Sequence, residues 1–216
     1  MEKINQIRNV SIWIFILPVT ALNLCLFVSV NYLLFENTIF QVDEIGRTAF
    51  TIPYIDGSVS ISRTARVFPT YLIYKPAMFI TAFFLIQYWR FNCYLMEKIN
   101  PYLNYKKFFL FFGITSAIFL VLHSIFLGIK FDNDLYKLFR RTVILSFIIF
   151  EIVAQTLLVI NFCKVKEEIK KLTNIKILNF KIGLVVILII VAIVSIPYIT
   201  ATGYTRFKHA LEWNYF

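Results

Sequence analysis

The chain is poor in charge. Only 16% of its 216 residues are Asp, Glu, Lys or Arg, against roughly 25% in an ordinary soluble domain. It has no Walker loop, no dinucleotide fingerprint, no Gly-x-Ser-x-Gly elbow and no His-Glu-x-x-His, so the common soluble-enzyme chemistries have no foothold. Histidine is scarce: His123 and His209 are the only two. A zinc site would need carboxylate or thiolate help, and the cysteines stand too far away to give it, so neither a metal nor another cofactor is expected. Cys25, Cys93 and Cys163 are odd in number and fall in or beside apolar runs. That excludes a disulfide framework and fits small core thiols. Cys93 and Cys163, close to a membrane edge, also suit palmitoylation.

What is present is apolar surface. Hydrophobic residues make up 59% of the chain, with 24 Phe and 12 Tyr against 6 Gly. A soluble core of this length has no room for so much. Five runs, at about 10–35, 70–89, 108–129, 142–163 and 182–199, have the 18 or more apolar residues that cross about 30 Å of hydrocarbon. Helices satisfy their own backbone in lipid, and the alternation of a membrane barrel is absent. The expected fold is all-α: a polytopic transmembrane helix bundle of five crossings in a single domain, residues 1–216. The tail Ala210-Leu-Glu-Trp-Asn-Tyr-Phe216 reads either as an interfacial aromatic anchor or as the start of a sixth helix.

The loops predict an orientation. Lys164, Lys166, Lys170, Lys171, Lys176 and Lys181 crowd the fourth loop. Together with Lys3 and Arg8 in the tail and four bases in the second loop, they place the N-terminus in the cytoplasm. The net charge of +10 then reads as affinity for anionic headgroups. Nucleic acid is not an expected partner, because the bases are scattered along membrane edges. The first outer loop, residues 36–69, is long enough to be functional. Its alternating Ser58-Val-Ser-Ile-Ser62 suits a small hairpin or a strand lying on the membrane.

Candidate chemistry lies in the few polar groups near the crossings. Glu151 is a carboxylate inside the fourth run, with Gln155 one turn on; such a residue normally faces other helices or a wet cavity. Counted from the run ends, Glu151 lies roughly 13 Å and His123 roughly 9 Å from the outer side. The two are therefore expected to meet, as an acid–base pair or as a packing hydrogen bond. Lys75, Arg63, Arg66, Arg140 and Arg141 all fall at headgroup depth on that side. Basic side chains there snorkel, and they also hold phosphate. With Tyr54 and Ser58, they are expected to line a lipid-headgroup cavity under the first loop.

Three patches carry a family resemblance. Tyr54-Ile-Asp-Gly-Ser-Val-Ser60 leads into a helix ending Tyr88-Trp-Arg-Phe-Asn-Cys-Tyr-Leu95, and the tail runs Gly203-Tyr-Thr-Arg-Phe-Lys-His-Ala-Leu-Glu-Trp213. With Pro18 in the first run, this resembles the post-GPI-attachment factors that remodel the lipid of GPI anchors, within the Frag/DRAM/Sfk membrane family. The chain departs from that family in lacking outer-loop cysteines and in stopping where a sixth helix would begin. The resemblance implies a factor in GPI-anchor biosynthesis that acts in lipid remodelling at the lumenal side of the Golgi apparatus or endoplasmic reticulum; in a bacterium the corresponding site is the inner membrane. The substrate would be a membrane lipid or glycolipid, with acyltransferase-like activity or lipid presentation as the two modes. The alternative is a non-catalytic scaffold, regulator or accessory subunit with membrane-protein partners.

Overall fold

The computed structural model describes residues 2–41, 51–129, 133–200 and 203–215. Residues 42–50 of the first loop lie outside them. Among the described residues there are nine α-helices and no strand. Five helices are long and apolar enough to cross a membrane: α1 (Glu2–Val30), α4 (Thr70–Ile99), α5 (Lys106–Phe126), α6 (Asp134–Lys164) and α8 (Ile175–Thr200). The short helices are α2 (Pro53–Asp56), α3 (Ile61–Thr64), α7 (Lys166–Lys170) and α9 (Thr205–Tyr215).

The crossings outrun their apolar cores because polar flanks cap and continue them. Asn133 caps α6, which begins at Asp134, eight residues before the apolar run; its side chain accepts from the Leu135 N–H at 3.0 Å. Asp134 follows in the first turn, where a negative charge suits the helix dipole. The first helix stops early, at Val30, and gives way to a 3-10 turn at Tyr32–Phe35.

Order in the bundle follows the chain. Helix α1 packs on α4, α4 on α5 and α5 on α6, while α8 touches α6 more lightly. Only 11% of the most apolar window of α8 is buried, against 22–39% in the other four. Outward faces are apolar, as at Phe15, Phe83 and Ile187, which is the finish a lipid solvent requires. The core has two halves. One, at the first-loop end, gathers Leu22, Tyr74, Met78, Leu120 and Trp213. The other, towards the N-terminal end, gathers Trp89, Met96, Phe109, Leu158 and Phe162. Gly113 sets the distance between α4 and α5, because a Cβ there would fall inside the Trp89 ring.

The alternating stretch Ser58–Ser62 does not form a strand. Asp56 accepts from the Ser58 N–H at 2.8 Å, and Ser60 caps α3 by accepting from the Arg63 N–H at 3.2 Å. Local side-chain acceptors draw this backbone away from a ladder. Buried threonines then pin the loop to the bundle: the Thr70 hydroxyl donates to the Thr64 and Val67 carbonyls, and Ser29 of α1 donates to Thr64 at 3.4 Å.

The tail helix α9 folds back onto the first loop. The Trp213 indole donates to the Val59 carbonyl at 2.8 Å, the Asn214 amide donates to Tyr54 at 2.8 Å, and the Tyr54 and Trp213 rings meet edge-on at 5.2 Å. Gly57, at φ +55°, is required here because a Cβ would strike the Arg206 backbone.

Overpacking a filled site costs about 1–3 kcal/mol. Gly113→Ala is therefore expected to lower the thermal midpoint of the purified protein clearly. Gly183→Ala, where a Cβ meets nothing within 4 Å, should leave it unchanged. Equal midpoints for the two variants would contradict the Trp89–Gly113 fit.

Candidate functional site

Glu151 stands on α6 about 17 residues, roughly 25 Å, beyond Asp134. That depth brings it level with the middle of α5. The Ser116 hydroxyl donates to its Oε2 at 2.7 Å, and the Gln155 amide donates to its Oε1 at 2.9 Å. The Trp89 indole flanks the carboxylate without a formed hydrogen bond. A carboxylate in the hydrocarbon zone is thus satisfied from two helices, which is what its desolvation demands.

The fourth side of Glu151 faces space. A cavity of about 750 Å³ lies between α1, α4, α6 and α8, lined by Glu151, Gln155, Tyr88 and Lys181 among apolar residues such as Ile14 and Leu188. Leu211 and Asn214 of α9 close its first-loop end. A second cavity, of about 900 Å³, runs on towards the N-terminal end past Arg8, Asn92 and Leu178. Both are lined by Ser11, Phe15, Tyr88 and Lys181, so they form one groove between α1 and α8, joined at those four residues.

Lys181 is a residue that sequence reasoning placed in a basic loop. It lies inside α8, and its ammonium donates to the Tyr88 hydroxyl at 2.5 Å. It also sits over the Tyr88 and Phe162 rings, 5.3 and 5.2 Å from their centres. Two aromatic faces and a phenol are how an apolar wall can carry a cation. Its positive charge acts on Glu151 as well. Lys181, Tyr88 and Ser116 are thus the site members that hydropathy alone did not single out. A signal was available: Tyr88 and Ser116 fall where helix-length polar groups must find partners in the bundle.

The pairing of Glu151 with His123 does not form. His123 lies in the last turn of α5, about two turns beyond Ser116, and its Nδ1 has no hydrogen-bond partner among the described residues. Measuring depth from Thr142 placed Glu151 too near the first-loop end. The capped start of α6 at Asp134 puts it deeper.

The expected headgroup residues separate into groups. Arg66 feels the positive charges of Arg140 and Arg63, and His123 feels that of Arg140. Lys75 stands apart, its ammonium 5.7 Å from the Tyr71 ring centre and 3.4 Å from the Ile125 carbonyl. Arg141 is exposed on α6. Tyr54 belongs to the α9 contact through Trp213 and Asn214, and its hydroxyl accepts from Asn23 of α1 at 2.9 Å; the Ser58 N–H is turned to Asp56. None of the seven residues lines either cavity of the groove. No group of three or more His, Cys, Asp or Glu able to hold a metal occurs among the described residues.

No family model, no curated protein and no solved structure matches the chain.

Glu212 fastens the helix that closes the groove. Its carboxylate accepts from the Ser62 N–H at 3.4 Å, and burial pushes its pKa up from 4.5 to about 7, against the opposing pull of the Ser62 and Ile61 amides. Tyr74 of α4 faces it. Because docked Glu212 holds its proton to higher pH than free Glu212, docking is strongest below about pH 4.5, weakens as pH rises to about 7, and is flat above. Amide exchange in α9, corrected for intrinsic rate, should therefore be slower at pH 5 than at pH 8. Glu212→Gln should remove the difference; a pH effect of unchanged size in that variant would refute the assignment.

Proposed function

We propose that the protein is a membrane factor in lipid remodelling that takes one lipid sideways from the bilayer into the groove between α1 and α8. The observation that carries this reading is the wall of the groove. It is mostly apolar where the two cavities meet, yet holds one ammonium, one carboxylate and one phenol at Lys181, Glu151 and Tyr88. Acyl chains fit the apolar stretches, and a polar linkage or headgroup fits the three polar groups. Arg8 lies at the N-terminal end of the same groove, where a basic side chain meets headgroups.

Binding and presentation suit this geometry better than acyl transfer by the chain alone. A nucleophile–base couple would need both members at the groove. Ser116, though hydrogen-bonded to Glu151, is fully buried and does not line it. GPI anchors or a related glycolipid are the substrate class favoured by the resemblance of Tyr54–Ser60, Tyr88–Leu95 and Gly203–Trp213, which also supports a Golgi or endoplasmic-reticulum setting.

Mass spectrometry of lipid retained after gentle purification tests the proposal. Wild type is expected to carry about one lipid per chain, selected from the bulk mixture. Ser11→Phe, which places a ring at the join of the two cavities, should lose most of it. Lys181→Gln and Glu151→Gln should keep the fold but alter which headgroup is retained. Retained lipid that mirrors the bulk membrane in all four proteins would defeat the reading.

A further inference from the structure

A second polar constellation lies away from the groove, at the first-loop end of α5 and α6. Arg63 closes α3, Arg66 follows in the link to α4, and Arg140 projects from the early turns of α6. Arg66 is held below the usual arginine range by burial first, and then by the positive charges of Arg140 and Arg63. The ion pairs formed among the described residues are Lys106–Glu97 and Lys170–Glu167, neither of which involves these arginines. Gly128, at φ +89°, seats the Arg66 backbone against the end of α5: a Cβ there would stand 3.2 Å from the Arg66 carbonyl.

The polar atoms facing this cluster are unspent. His123 is 8% exposed, and its Nδ1 is buried without a partner; the Arg140 Nε is likewise buried and unpaired. Buried nitrogens with no partner cost free energy, and so does gathering like charges, even though Arg63 and Arg66 keep exposed surface. An anion at the centre offsets both costs. The planar forks of several arginines match the oxygens of a phosphate. Of the other groups nearby, the Lys75 ammonium of α4 is engaged at the Ile125 carbonyl at 3.4 Å, the Tyr136 hydroxyl is engaged with the Phe126 carbonyl at 2.9 Å, and Asp134 lies about two turns nearer the start of α6.

We infer that Arg63, Arg66, Arg140 and His123 form a binding site for a phosphate group, either the headgroup of a lipid in the adjoining leaflet or free phosphate. The site shares no residue with the groove lining and stands independently of the lipid occupant proposed there.

Calorimetric titration of the purified full chain with dihexanoyl phosphatidic acid, and separately with inorganic phosphate, distinguishes the two sources. Binding of the lipid alone identifies a headgroup site; binding of both identifies a site for the phosphate itself. In either case Arg66→Gln and Arg140→Gln should each weaken binding about 10- to 100-fold, while Arg141→Gln, outside the set, should leave it unchanged. Should Arg140→Gln fail to fold, Arg63→Gln on the exposed end of α3 serves in its place. The rise in wild-type thermal midpoint with added ligand reports the site without any variant. Absence of binding by both probes, or equal losses in Arg141→Gln and Arg66→Gln, would overturn the inference.

Discussion

The structure turns on the cost of a carboxylate in hydrocarbon. Glu151 is tolerable on a crossing helix only if its oxygens are met inside the bundle, and Ser116 of α5 and Gln155 of its own helix meet them. That requirement fixes how α6 is rotated and how deep it sits against α5. It also explains the tight seam next door. Gly113 lets Trp89 settle between α4 and α5, and the indole then flanks the same carboxylate. Polar satisfaction and shape therefore act on one locus, and the apolar faces elsewhere are left for lipid.

A bundle organised around α1, α4, α5 and α6 leaves α8 lightly held. Its outward residues are large and apolar, while Lys181 turns inward to Tyr88. An ammonium facing lipid would be expensive; facing a phenol, two rings and a distant carboxylate, it is supported. The gap between α1 and α8 is the consequence, and α9 roofs one end of it. The few buried residues of α8 place it among the elements that open locally at least cost. That is the property a lateral entry for lipid would use. The roof itself is tied to the first loop through Trp213, Asn214 and Glu212, so loop, tail and groove form one connected unit.

Much of this was legible in the sequence, and the failures have physical causes. The apolar runs disclosed the five crossings, and a lone carboxylate at Glu151 disclosed an interior polar locus. Hydropathy did not disclose helix ends, because capped polar turns such as Asn133–Asp134 continue a helix beyond its greasy part. That error moved Glu151 towards His123 and away from Ser116. It also assigned Lys181 to a loop, since its charge lies just outside the run beginning at Ile182. Alternation at Ser58–Ser62 suggested a strand, but the serine and aspartate side chains supply their own backbone acceptors. The candidate residues of the first-loop end form one set in the sequence; tertiary packing divides them, leaving Arg66 under the charge of Arg63 and Arg140, setting Lys75 apart and sending Tyr54 to α9.

The central claim is that a lipid occupies the groove between α1 and α8 with its polar part beside Lys181 and Glu151. A map of the protein in lipid nanodiscs, at a resolution that shows side chains, tests it most directly. The account predicts elongated density running past Ser11 and Tyr88, with its polar end at Lys181. Direct packing of α1 against α8 with no density between them, and Lys181 turned out to the lipid, would contradict it.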